Sequence, residues 1–178
     1  MPVRKPSGIQ APHARRQNGV SIVEALVALV VLSIGVLGIA VMFLQSVRAN
    51  RTALTRTLAV QLVNDMADRI RANRGAKDSY VLAAGTPPTG TAPNCATADC
   101  TPQALASYDL IQWYTAVTAR DAGLPAGPDG TAPQVAITYT AGTTSADPGL
   151  YTIVAKWKDT GSTDFLSTQL EFIVIGTT

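Results

Sequence analysis

The chain has almost no histidine. Its one histidine, His13, falls within the first nineteen residues. If that stretch is removed, Ser-His-Asp and Cys-His catalysis are excluded, and with them most zinc chemistry. Cysteine is nearly as scarce: Cys95 and Cys100 are the only two. Basic residues thin out toward the C-terminus. From Gly75 onward only Lys77, Arg120, Lys156 and Lys158 stand against nine acidic residues, a net −5 that argues against nucleic acid as a partner. The +2 of the whole chain comes from Arg4, Lys5, Arg15 and Arg16, which have no acid near them. No internal repeat is present.

Two further absences shape the N-terminal third. Ala25 to Leu44 contains no charged residue over 20 positions, and Val20 to Arg74 contains no proline. At ~1.5 Å of rise per residue, the uncharged run spans roughly 30 Å as a helix, the thickness of a bilayer's hydrocarbon core. It follows Gly19-Val20-Ser21-Ile22-Val23-Glu24 directly, so a single carboxylate, Glu24, marks its N-terminal edge. The basic arm before Gly19, with Pro2, Pro6, Gly8 and Pro12, has no apolar periodicity and reads as unstructured. Its charges favour a cytoplasmic N-terminus and an outward C-terminal portion; Arg48, Arg51 and Arg56 oppose that bias beyond the run. An ordinary secretory signal fits poorly. Its apolar core is usually ~7–15 residues and ends in a small-x-small site, whereas Gln45-Ser46-Val47-Arg48-Ala49 follows here.

Past Leu44 the helical pattern becomes amphipathic. Val47, Leu54, Leu58, Leu62, Met66 and Ile70 recur mostly every four residues. One helix of about 55 residues is predicted, roughly 80 Å long, with Gly75 as its C-cap and a buried Leu58/Leu62/Met66/Ile70 stripe. Gly85 to Pro102 is a loop. Thr101-Pro102 reads as an N-cap and first helical position. A second helix is expected over 102–122, with Leu105, Tyr108, Leu110, Ile111, Tyr114 and Val117 as its apolar face and Gly123 as its stop. Strands are expected over 135–139, 151–158 and 167–175, parted by Asp147-Pro148-Gly149 and Asp159-Thr160-Gly161-Ser162. A fourth strand near Tyr80-Val81-Leu82 is an option. The class is α+β: a long helix packed on a small antiparallel meander, with a second short helix.

A basic leader ending in glycine, a glutamate five residues later inside an apolar helix, and a small sheet downstream resemble the type IV pilin and pseudopilin family. A finer likeness, to the family's minor pilins, rests on the Cys95/Cys100 loop, Leu110-Ile111-Gln112-Trp113 and Tyr151…Trp157-Lys158-Asp159. The resemblance implies that residues 1–19 are a leader removed by a prepilin peptidase between Gly19 and Val20, with N-methylation of Val20. It implies a transmembrane half of the helix at 20–44, an amphipathic half at 45–74 and a periplasmic or extracellular domain at 75–178. It assigns Glu24 to subunit alignment. Its implied partners are the peptidase, other minor pilins, the major pilin, the inner membrane and a tip adhesin, and its implied roles are pilus assembly, twitching motility and adhesion. Val20 departs from the family, which usually has phenylalanine after the cut. A type II secretion pseudopilin and an uncut, membrane-anchored binding module are the alternatives. The physics of Glu24 agrees with a functional charge. A carboxylate within lipid costs about 2.5–3.5 kcal/mol on insertion scales, less near the interface. The freed amino group of Val20, or that of a neighbouring subunit, would offset it; snorkelling to headgroups is the plainer reading.

The remaining constellations carry less. Cys95 and Cys100 would form a disulfide on an oxidising outer side, and a metal site would lack a histidine or a second cysteine pair. No cofactor and no small-molecule substrate are implied, and no enzyme activity is expected. Arg48, Arg51 and Arg56 read as a solvated or partner-facing strip, with phospholipid headgroups or DNA as the sharper options. Trp113, Tyr114, Tyr151 and Trp157 read as core. Asp159 and Asp164 are too few for calcium. Gly35 and Gly38, spaced by three, read as ordinary transmembrane glycines.

Overall fold

The computed structural model describes residues 19–91, 94–127, 129–142, 149–159 and 164–174. The basic arm with His13, the Asp147-Pro148 and Thr160-Gly161-Ser162 turn residues, and Ile175 lie outside the described residues. Helix α1 runs over Ile22–Ala72, 51 residues without a break, as the absence of proline permits. A 3-10 helix over Arg74–Tyr80 follows, then helix α2 over Pro102–Thr118. Strands β1 (Gln134–Thr140), β2 (Gly149–Lys158) and β3 (Phe165–Val174) complete the chain. The chain divides into two compact units, one ending at Ser46 and the other beginning at Val47.

The sheet is an antiparallel meander in the order β1-β2-β3. Its register runs from Gln134 opposite Lys156 to Thr140 opposite Leu150, and from Gly149 opposite Val174 to Lys158 opposite Phe165. Strict alternation puts Tyr151, Ile153, Ala155 and Trp157 of β2 on the core face. They meet Val135 and Ile137 of β1, Phe172 of β3, and a stripe on α1 in one core cluster. Burying each large apolar side chain here is worth about 1.5–3 kcal/mol. An aromatic row crosses the sheet: ring centroids lie 4.8 Å apart for Tyr139 and Tyr151, and 5.7 Å apart for Tyr151 and Phe172. Gly149 makes the row possible, since a Cβ there would lie 2.2 Å from the Tyr139 ring.

Several expectations need correction. The buried stripe of α1 is Ala59, Val63, Met66, Ala67 and Ile70, with Leu58 and Leu62 only partly covered and Leu54 71% exposed. The small residues Ala59 and Ala67 share one core cluster with Trp113 and Trp157, while Leu58 and Leu62 pack against it from partly buried positions. Gly75 is no C-cap; α1 stops at Ala72 and Gly75 lies inside the 3-10 helix. The core face of α2 keeps Leu110 and Val117 of the expected set and adds Ala106, Asp109 and Trp113, while Leu105, Tyr108, Ile111 and Tyr114 are half-buried. Helix α2 also ends at Thr118 rather than at residue 122. The chain doubles back there: the Leu124 amide donates to the Val117 carbonyl at 2.8 Å, which drives Leu124 into the core. Gly123 permits that return, because a Cβ would meet the Val117 oxygen at 2.3 Å. The optional fourth strand is a single bridge, Leu82 to Ile137.

Candidate processing and assembly site

The N-terminal site is built by one helix start. The Ala25 amide donates to the Ser21 carbonyl at 3.1 Å, closing the first turn. Glu24 therefore stands in that first turn, where a carboxylate complements the positive end of the helix dipole. Gly19 and Val20 precede the helix in an exposed, non-helical stretch, and a Cβ on Gly19 would touch nothing within 4 Å. From Val20 to Leu44 every large apolar side chain is more than half exposed, with Ile22 at 80% and Val41 lowest at 54%. The helix is long and apolar enough, by length and composition, to cross a membrane. Ser33, the one hydroxyl inside the apolar run, donates to the Leu29 carbonyl at 2.7 Å. That back-bond satisfies it without water. A Cβ added at Gly35 or Gly38 would meet nothing within 4 Å among the described residues.

A polar network in the second unit was not foreseen from sequence. The Asp109 carboxylate on α2 is buried, and accepts from Tyr80 Oη at 2.7 Å and from Arg69 Nη1 of α1 at 3.0 Å. Arg69 Nε donates to Asp65 at 2.9 Å. Asn73 Nδ2 donates to both Tyr80 Oη, at 3.1 Å, and the Pro102 carbonyl, at 2.8 Å. Trp113 Nε1 donates to the Leu62 carbonyl at 2.7 Å, a second tie between α2 and α1. Burial first, then the bond to Asp109, pushes the Tyr80 hydroxyl well above the ordinary tyrosine range. Burial also raises Tyr151, whose Oη has no hydrogen-bond partner among the described residues. The one sequence signal for this network was an acid between Tyr108 and Leu110 on the predicted second helix.

The other candidate residues divide plainly. Cys95 and Cys100 are joined in a disulfide, Cα atoms 5.7 Å apart, just ahead of α2. Thr101 caps that helix, its Oγ1 accepting from the Ala104 amide at 3.3 Å. Trp113, Trp157 and Tyr151 are core residues and Tyr114 is partly buried. Asp159 accepts from the Thr52 hydroxyl on α1. Among the described residues no three His, Cys, Asp or Glu side chains cluster to hold a metal ion.

A long N-terminal apolar helix, a second short helix and a three-stranded antiparallel sheet make up a type IV pilin fold. The family models agree with it. One described as type IV pilin Tt1218 matches residues 41–111, and one described as the prokaryotic N-terminal methylation motif matches residues 14–40. Together they support the type IV pilin family, which is structural rather than enzymatic. The methylation motif implies processing by a prepilin peptidase and assembly with other pilins. No curated protein and no solved structure matches the chain.

Proposed function

We propose that this chain is a minor pilin, most like the type IV pilus minor pilin PilV. Prepilin peptidase cuts between Gly19 and Val20 and methylates Val20. The mature subunit waits in the inner membrane with its N-terminus cytoplasmic and residues 75–178 periplasmic. It then enters a pilus or its initiation complex through α1, and supports twitching motility and adhesion alongside the major pilin, other minor pilins and a tip adhesin. The observation that carries this reading is the methylation-motif match over residues 14–40, a span that contains Gly19, Val20 and Glu24. Glu24 aligns subunits by pairing with a freed amino terminus: a lone carboxylate at the edge of an uncharged run needs a cation to offset its desolvation.

The test is the N-terminus of the protein recovered from membranes. Mass spectrometry is expected to find N-methylated Val20 first; an intact Met1 in cells with active peptidase refutes the reading. In the same cells, Glu24→Ala is expected to leave membrane insertion unchanged and to reduce recovery in sheared pili at least about tenfold, the loss of one charge pair in a low-dielectric setting.

A further inference from the structure

The two edges of the sheet are treated differently. The outer edge of β1 is closed by the segment after the 3-10 helix. Leu82 and Ile137 exchange amide-to-carbonyl bonds at 2.9 Å each, and the Gly85 amide donates to the Val135 carbonyl at 3.3 Å. The outer edge of β3 has no strand partner among the described residues. Edge strands are usually kept short, bulged, or marked with lysine or proline to prevent pairing with another chain. Strand β3 has none of these guards. It is ten residues long, its register with β2 is unbroken, and Glu171 is its only charge. A break in that rule without a structural reason points to use of the edge.

We infer that β3 is a pairing edge for a second copy of this chain, antiparallel and centred on Gln169. The argument is self-complementarity. Two large apolar residues stand exposed on β3, Phe165 at 42% and Ile173 at 61%. They share the outer face and lie equally far, four residues, on either side of Gln169. With Gln169 opposite Gln169, each Phe165 faces the second copy's Ile173, and both apolar side chains are covered. Ser167 then faces Glu171, and Leu166 faces Phe172. Centring the pair on Glu171 instead would oppose like charges, which destabilises a sheet. Other nearby registers leave Ile173 or Phe165 without a β3 partner in the described strand. The inner side of the edge also has space. A groove of about 320 Å³ lies between Arg56 and Val60 of α1 and Leu166, Ser167 and Thr168 of β3, and Val60 is 48% exposed. Inner-face side chains of an added strand fit against it. Such a two-fold pair closes on itself and does not propagate, so it describes the protein outside a growing filament and stands apart from the processing of the N-terminus.

The experiment uses the full-length chain in detergent micelles, with the Cys95–Cys100 disulfide intact. Single cysteines are introduced at exposed β3 positions and oxidised mildly. Gln169→Cys is expected to give a disulfide-linked dimer, because directly opposite Cβ atoms lie ~4.5–5.5 Å apart, and Ser167→Cys at least about tenfold less, because its two copies stand four residues out of register, roughly 13 Å apart along the strand. The double variant Ser167→Cys/Glu171→Cys restores the cross-link. In sedimentation, Ile173→Lys is expected to raise the dimer dissociation constant about tenfold, since it sets a charge against an apolar ring. A monomer at all concentrations, equal cross-linking at 167 and 169, or a dimer indifferent to Ile173→Lys overturns the inference.

Discussion

Asp109 accepts hydrogen bonds from Tyr80 and Arg69, partners 29 and 40 residues away in the chain. Removing its carboxylate leaves an arginine and a phenol facing each other without a shared acceptor. Asp109→Ala is expected to cost about 2–3 kcal/mol, below the 3–5 of a fully buried pair because Arg69 is about a third exposed. The urea midpoint measures it. Tyr80 carries a pH prediction. Its folded pKa is raised above the ordinary value of 10.0, so its contribution is complete below pH 10 and declines as pH rises above it. Tyr151 acts in the same direction. Stability is expected to fall between pH 10 and 11.5, and the fall to be shallower in Tyr80→Phe, by urea unfolding at each pH. None of these pairings was legible in the sequence. An acid on a predicted apolar face is visible, but its partners come from two other elements, and only the packed chain brings them within 3 Å.

At the scale of elements, the starts were more legible than the ends. Thr101-Pro102 announced α2, because capping is decided by residues adjacent in sequence. The end of α2 was misplaced by four residues, because Leu124 competes for burial and pulls the chain back at Thr118. The stripe on α1 was legible as a period but not as a phase. Ala59 and Ala67 are buried in the same core cluster as Trp113 and Trp157, a placement that propensity does not register. The 3-10 helix had no local signal that outweighed the glycine. The loop before α2 carries its own prediction. Replacing both Cys95 and Cys100 by serine is expected to cost about 2 kcal/mol, the chain-entropy value for so short a closed loop. Calorimetry under non-reducing conditions checks it, and a reducing agent should lower the wild-type midpoint to match.

At the scale of the whole molecule, every buried core residue among the described residues lies between Ala59 and Phe172, within the unit that begins at Val47. A fragment of residues 47–178 is therefore expected to fold and stay in solution without the apolar segment. Its near-ultraviolet circular dichroism should match that of the intact protein in micelles, with a melting midpoint within about 5 °C, the shift that ~1 kcal/mol gives a domain of this size. The sequence by itself determined the apolar helix, the carboxylate at its edge, the glycine before it and the α+β class. Each of these depends on charge, length or period read along the chain, and none needs a distant partner. Tertiary structure decided which face of α1 and of α2 is buried, what satisfies Asp109, and that the outer edge of β1 is closed while that of β3 has no strand partner among the described residues. Those outcomes depend on volumes and hydrogen-bond donors that meet only after folding. The open edge of β3 is the clearest case: the strand itself was expected, but its unguarded side appears only once the segment at Leu82 has closed the opposite one.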